Sequence, residues 1–264
     1  MTERRRVLIT GASAGIGKSF ARVFAENGWD TVLVARREDR LQALATELTE
    51  AYGGDHRVFA ADLARVGAPA KIEAFVKEAG LSIDGVVNNA GYGLKKKFLE
   101  ASWEEHRAFM QVLMVSLTEL CHRFAPAMVE RGFGRIINVA SIAAHAPEYP
   151  GNLYNAAKAY VLHATEALAL ELKPRGVHVT AVCPGFTHTE FHDNMGVKKA
   201  LAGVPSWMWM DADEVARLGY EASMRGQTVC VTGWVNKALV GLMRLMPYSM
   251  RERVAAKQKV VMKD

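Results

Sequence analysis

Cysteine is scarce in this chain: Cys121, Cys183 and Cys230 are the three among 264 residues, far apart and never in a C-x-x-C pair. That excludes a disulfide frame and a cysteine zinc site. The last two lie in apolar, strand-like runs, so the cysteines read as reduced core residues of a cytoplasmic protein. Long hydrophobic runs are missing as well. No apolar stretch reaches the ~20 residues that span a bilayer, and "VLIT" at residues 7–10 already reads as a core strand, which leaves no room for a cleaved signal peptide. Linkers rich in Pro, Gly or Ser, internal repeats and low-complexity tracts are also lacking, which argues for one domain over residues 1–264. A strong charge bias is absent too. Net charge is +5, and basic residues group only at 4–6, at 95–97 and in the tail beyond 236. The first two groups read as solvated, and no aromatics interleave with them as a base-stacking platform would require, so a nucleic-acid partner is not expected.

What the chain does have is apolar surface, half of its residues, enough for one large core. It is organised as alternation. Short β-branched runs ("VLIT", "TVLVAR", "RVFAAD", "GVVNNAG", "RIINVAS", "VHVTAVCPG", "TVCVTG") are separated by amphipathic stretches of helical length. Uniformly apolar strands with helices between them predict a parallel sheet covered on both faces, a doubly wound α/β fold. The first strand runs into "TGASAGIG", with Gly11, Gly15 and Gly17 between strand and helix. Glycines there let the backbone turn tightly against a pyrophosphate, whose charge the free N–H groups of the helix start then hold. The G-x-x-x-G-x-G spacing differs from the commoner G-x-G-x-x-G.

This glycine pattern, "NNAG" at 88–91, Ser141, Tyr154, Lys158 and "PG" at 184–185 together resemble the short-chain dehydrogenase/reductase family, from residue 7 to about residue 190. The resemblance implies a seven-stranded Rossmann sheet, a nicotinamide cofactor and a homodimer or homotetramer. It implies that Gly11, Ser13, Gly15, Ile16 and Gly17 line the cofactor, that Asp62 contacts the adenine with Leu63 beside it, and that Asn89 and Gly91 border the ribose and nicotinamide. Pro184 and Gly185 then flank the nicotinamide, whose carboxamide Thr187 and Thr189 hold. The second strand ends in Ala35, Arg36 and Arg37, where an NAD enzyme usually places an acidic residue. Arginine forks onto phosphate oxygens, so this pair favours NADP(H) over NAD(H).

Tyr154 and Lys158 lie four apart at the start of a long amphipathic stretch reaching Leu172. On a helix they share a face. A free phenol titrates near ~10, about three units too high for exchange at neutral pH, which amounts to ~4 kcal/mol. A positive charge ~4 Å away supplies that much at an effective dielectric of ~20, and only ~1 kcal/mol in bulk water. Lys158 is therefore expected to make a partly desolvated Tyr154 acidic enough to work, and to hold the cofactor ribose. The spacing alone is weak, since Tyr92 and Lys96 repeat it where Gly91 and Gly93 argue against a helix. The resemblance supplies the roles: Ser141 donates a hydrogen bond to a substrate carbonyl, Tyr154 gives it a proton, and the cofactor delivers hydride.

Leu113 breaks the pattern. The family usually carries there an asparagine that bends the helix and holds a water linking the lysine to solvent, and leucine has no hydrogen-bonding group. Three readings stand: Ser116 holds such a water instead, Lys158 reaches solvent by another route, or turnover is slow. The last leads to a rival function, an NADP-binding sensor or scaffold without chemistry. The segment 188–212, rich in Trp and Met, is either a lid over a bulky apolar or aromatic substrate or buried packing, with Phe191, Trp207 and Trp209 lining the substrate. His145 and Tyr149 are expected to form another wall. His188 and His192 lack a third ligand, so no metal is expected. The basic, amphipathic extension 236–264 packs as an ordinary helix, covers the substrate mouth, joins a neighbouring subunit or rests on an anionic membrane.

Overall fold

In the computed structural model, which describes residues 4–146, 153–190, 203–247 and 249–250, each apolar run forms a strand of one sheet. The strands are β1 (Arg6–Thr10), β2 (Asp30–Ala35), β3 (His56–Ala60), β4 (Gly85–Asn88), β5 (Gly134–Val139), β6 (Val177–Cys183) and, at the far edge, β9 (Val229–Val231). All pair in parallel, in the order β3-β2-β1-β4-β5-β6-β9. The chain order reverses between β1 and β4, and the crevice beyond their carboxyl ends is where such sheets take ligands.

Period-two alternation splits each strand between two cores. Leu8, Val86 and Ile136 face a layer containing α3 (Ala68–Glu78), α4 (Trp103–Met110), α5 (Ser116–Glu130) and α6 (Tyr154–Leu172). Val7, Ile9, Val87 and Ile137 face α1 (Gly15–Glu26), α2 (Glu38–Tyr52) and α7 (Ala212–Met224). Because both faces are covered, the inner strands show no polar alternation, and this made them legible in the sequence. Helix α4 starts where Ser102 and Glu105 cap each other: Glu105 N donates to Ser102 Oγ and Ser102 N to Glu105 Oε2.

Helices α4 and α5 are joined by one π-helical turn, Gln111–Val115, into a continuous run Trp103–Glu130 of 28 residues. By length and composition alone this run could cross a membrane. Its buried residues, among them Phe109, Leu113, Leu117 and Leu120, belong to the first core, so it is a core helix here.

The basic groups are engaged rather than merely solvated. Arg6 bridges Asp30 and Asp55 at 2.7 and 2.9 Å, Arg4 meets Asp30, and Lys96 and Lys97 pair with Glu105 and Glu100. All three cysteines are free and buried. A small parallel pair that the sequence reading missed, β7 (Phe186–His188) with β8 (Trp209–Asp211), stands beside the sheet. Helix α8 (Trp234–Leu245) closes the described chain apart from residues 246, 247, 249 and 250.

Candidate active site

The turn from β1 into α1 is held open by glycine. Gly11 and Gly15 adopt φ of +67° and +53°, in the left-handed region. A Cβ on Gly11 would meet Asn89 Nδ2 at 2.7 Å, and one on Gly15 would meet Thr189 Cβ at 3.1 Å. Asn89 therefore clasps the turn: its Nδ2 donates to Thr10 O at 3.0 Å and Gly11 O at 3.3 Å, while its backbone N donates to Thr10 Oγ1. The ring of contacts positions the start of α1, where no side chain caps the free N–H groups and the first turn holds no acidic residue. That is an open anion seat.

Beyond β2 lies a second seat. Arg37 donates to Ser13 Oγ through Nη2 at 3.1 Å. Arg37 and Arg40 converge on one carboxylate, Glu190, at 3.2 and 2.8 Å. Arg40 and Glu190 were not singled out from the sequence, because 150 residues separate them. Arg36 is exposed, and its charge is felt at Tyr92. Asp62 Oδ1 accepts from Ala64 N, and Leu63 is buried.

Across the crevice, Ser141 follows β5 directly and caps a short 3-10 turn, accepting from Ala143 N at 3.1 Å and donating to Pro184 O at 3.4 Å. Tyr154 and Lys158 occupy the first two turns of α6, as the sequence predicts, with Lys158 Nζ 5.7 Å from the Tyr154 ring centroid. Lys158 is 6% exposed, and its Nζ donates to Val139 O at 2.7 Å, so β5 and α6 fix its position together. Burial pushes its pKa down to about 8. A Cβ on Gly91 would stand 3.9 Å from both Leu113 Cγ and Lys158 Nζ, which places Leu113 in the lysine's apolar surroundings.

Leu113 lies in the π-turn Gln111–Val115. Ser116, expected as a substitute water site, is fully buried and spends its hydroxyl elsewhere: Oγ donates to Leu63 O at 2.8 Å and accepts from Gln111 Nε2 at 3.1 Å.

A buried polar chain that the sequence reading also missed ties the layers together. Asn88 Nδ2 donates to Asn138 Oδ1 at 2.9 Å, and Asn138 Nδ2 donates to Thr165 Oγ1 at 2.9 Å, linking β4, β5 and α6. The signal was present as an asparagine inside each of the apolar runs "GVVN" and "GRIINV".

Thr187 is buried and donates to Gly185 O, and Thr189 packs on Gly15. Trp209 sits 5.5 Å from Phe186 and stacks on His188 at 4.9 Å. Trp207 is 64% exposed. His145 ends the 3-10 turn after Ser141, its pKa lowered by burial and then by the Arg244 charge. Tyr149, Phe191 and His192 lie outside the described residues, among which no group of three or more His, Cys, Asp or Glu gathers as a metal site.

A family model described as short chain dehydrogenase matches residues 5–200. The chain belongs to the short-chain dehydrogenase family. It is 33% identical over 186 residues to serine 3-dehydrogenase of Agrobacterium fabrum, covering 70% of this chain and 73% of that one. Among solved structures, a short-chain dehydrogenase from Sphingobium yanoikuyae in complex with NADPH superposes with a TM-score of 0.80 at 34% identity, over 93% of this chain and 97% of the other. The bulky-bulky ketone specific alcohol dehydrogenase of Comamonas testosteroni gives 0.76 at 30% identity, over 94% and 97%.

Proposed function

We propose that this oxidoreductase interconverts a ketone or aldehyde and the corresponding alcohol on an apolar or aromatic substrate, using NADP(H) in preference to NAD(H). The observation that supports the reading is the Tyr154–Lys158 pair at the start of α6, with Lys158 Nζ tied to Val139 O at the end of β5, the strand that Ser141 follows.

The residues present fit the cofactor. The uncapped start of α1 suits a pyrophosphate, and the guanidiniums of Arg37 and Arg40 with Ser13 Oγ suit a 2′-phosphate, a place already taken by an anion, the Glu190 carboxylate. Asp62 and Leu63 border the adenine side; Asn89, Gly91, Pro184, Gly185, Thr187 and Thr189 border the nicotinamide side. When bound, the reduced cofactor supplies hydride. Ser141 Oγ exchanges its long bond to Pro184 O for a substrate carbonyl, and Tyr154 gives that oxygen its proton. Lys158, held by Val139 O, keeps a positive charge near the phenolate left behind, in a setting dry enough for that charge to act strongly. In the oxidising direction the same groups take the proton away.

The apolar substrate is argued from the sequence, in which Trp207, Trp209 and Phe191 are assigned to the substrate segment and His145 and Tyr149 to a second wall. The ketone specificity of the Comamonas neighbour supports the same substrate class. Buried, reduced cysteines support a cytoplasmic setting, and we assign a homodimer or homotetramer from the family resemblance. Incubation with NADPH and a panel of bulky ketones, followed by loss of reduced-nicotinamide absorbance, tests the reaction. Tyr154→Phe should abolish turnover and spare NADPH affinity; an unchanged rate would remove Tyr154 as proton donor. Leu113, which has no hydrogen-bonding group to serve Lys158, favours one second reading, an NADP-binding sensor or scaffold, which tight NADPH binding with no turnover across the panel would support.

A further inference from the structure

Helix α8 turns two different faces to its surroundings. Asn236 and Val240 point inward and are buried, and Asn236 Nδ2 reaches Thr232 O at 2.8 Å and Met210 Sδ at 3.6 Å. The opposite face carries Trp234, Ala238, Gly241, Leu242 and Leu245, which at 3.6 residues per turn form one stripe. Trp234 is 80% exposed, Leu242 63% and Leu245 83%. Lys237 and Arg244 border this stripe along one side. Scattered apolar side chains on a surface need no explanation, but a contiguous helical stripe of this kind marks a contact.

Charge says what the contact is with. Residues 1–236 carry 26 basic and 26 acidic side chains, and residues 237–264 carry seven basic and two acidic. The entire net charge of +5 therefore belongs to α8 and the chain that follows it. A second copy docked through this face would bring its own Lys237 and Arg244 against those of the first, with no acidic residue on α8 to offset them. The chain's own last residues would fold like charge onto like. An anionic lipid surface is complementary on both counts, taking the apolar stripe at the acyl boundary and the cations at the headgroups.

We propose that α8 docks on an anionic membrane surface, with Trp234, Leu242 and Leu245 inserted and Lys237 and Arg244 at the phosphates. The docked helix lies beside the substrate entrance: Asn236 packs against Gly185, and the Arg244 charge is felt at His145. An apolar carbonyl compound dissolved in the bilayer would then enter from the lipid side. That last step rests on the carbonyl-reductase reading; the docking does not.

The test is co-sedimentation of the full-length protein with vesicles of phosphatidylcholine alone and of phosphatidylcholine with phosphatidylserine. Pelleting is expected only with phosphatidylserine. The W234S/L245S double variant should reduce it about fivefold or more, with unchanged Tm and NADPH affinity, and K237Q/R244Q should do the same. Pelleting with neither vesicle, or pelleting that the serine variants leave intact, overturns the proposal. So does an oligomer that shrinks in W234S/L245S while the wild type stays in the supernatant, since that would make the stripe a contact between copies. Loss of turnover in Tyr154→Phe tests the catalytic reading separately and leaves sedimentation untouched.

Discussion

Lys158 carries its charge into a place that disfavours it. The unfolded chain holds that proton up to about 10.5, the folded protein only up to about 8, and desolvation is the cause. Below about 8 both forms are protonated and the folded state bears the whole desolvation cost. Between about 8 and 10.5 the unfolded chain binds the extra proton, so the contribution of this group to stability rises with pH across that window. Lys158→Met should therefore stabilise the protein at pH 7 by about 1–3 kcal/mol while abolishing turnover. The gain should shrink as pH rises from 8 toward 10.5, read by thermal unfolding at a series of pH values. A destabilised variant at pH 7 would mean the ammonium is held by more than Val139 O. Glu190 is the opposite case, an exposed carboxylate whose pKa Arg40, then Arg37, pulls down. Because it occupies the seat proposed for the 2′-phosphate, Glu190→Gln should raise NADP affinity about two- to fivefold, in keeping with an exposed ion pair. NAD affinity should stay nearly constant and the difference fade in high salt. Arg37→Ala should weaken NADP binding and spare NAD; titration of intrinsic fluorescence reads all three.

The π-turn Gln111–Val115 is a backbone feature of a kind found often beside functional sites, and here it holds Leu113. Leucine has no hydrogen-bonding group to offer a proton path. Leu113→Asn should supply one, raising kcat about tenfold with little change in KM if proton supply limits turnover. It should also cost about 1–3 kcal/mol, since a carboxamide would enter a packed core. A kcat that stays level or falls would mean the proton path runs elsewhere. Comparison of the elements shows why some were legible. The inner strands of the parallel sheet are apolar on both faces, so composition alone announced them, and α6 begins at the tyrosine that the periodicity chose. The three-residue strands "FTH" and "WMD" carry no such pattern and exist through Phe186, His188 and Trp209 packing together. A π-turn leaves no compositional mark. The Arg37–Arg40–Glu190 cluster and the Asn88–Asn138–Thr165 chain are made by tertiary approach, which no local window contains.

At the scale of the molecule, the cysteines sample the sheet from centre to edge. Cys121 sits between α5 and the central strands, within reach of Asn88 Nδ2 at 3.3 Å, and Cys183 ends β6 beside Lys158. Burial raises the thiol pKa of both to about 12. Cys230 lies on β9, an edge strand paired to β6 through three residues only. Its Sγ donates to Leu218 O of α7, and α8 follows β9 directly in the chain. Thiolate is the reactive form, so at pH 8 the folded protein should resist alkylation and any labelling should report opening. Edge units with few pairings open more readily than central ones. Under mild denaturant Cys230 should therefore label at least about tenfold faster than Cys121, a gap of about 1.4 kcal/mol in opening free energy. Mass spectrometry of alkylated peptides reads the order. If α8 docks on lipid, phosphatidylserine vesicles should slow Cys230 and leave Cys121 as it was, because binding that holds the edge closed acts only on openings that release the edge. One common rate for all three thiols would instead mean that β9 and α8 open only with the whole sheet.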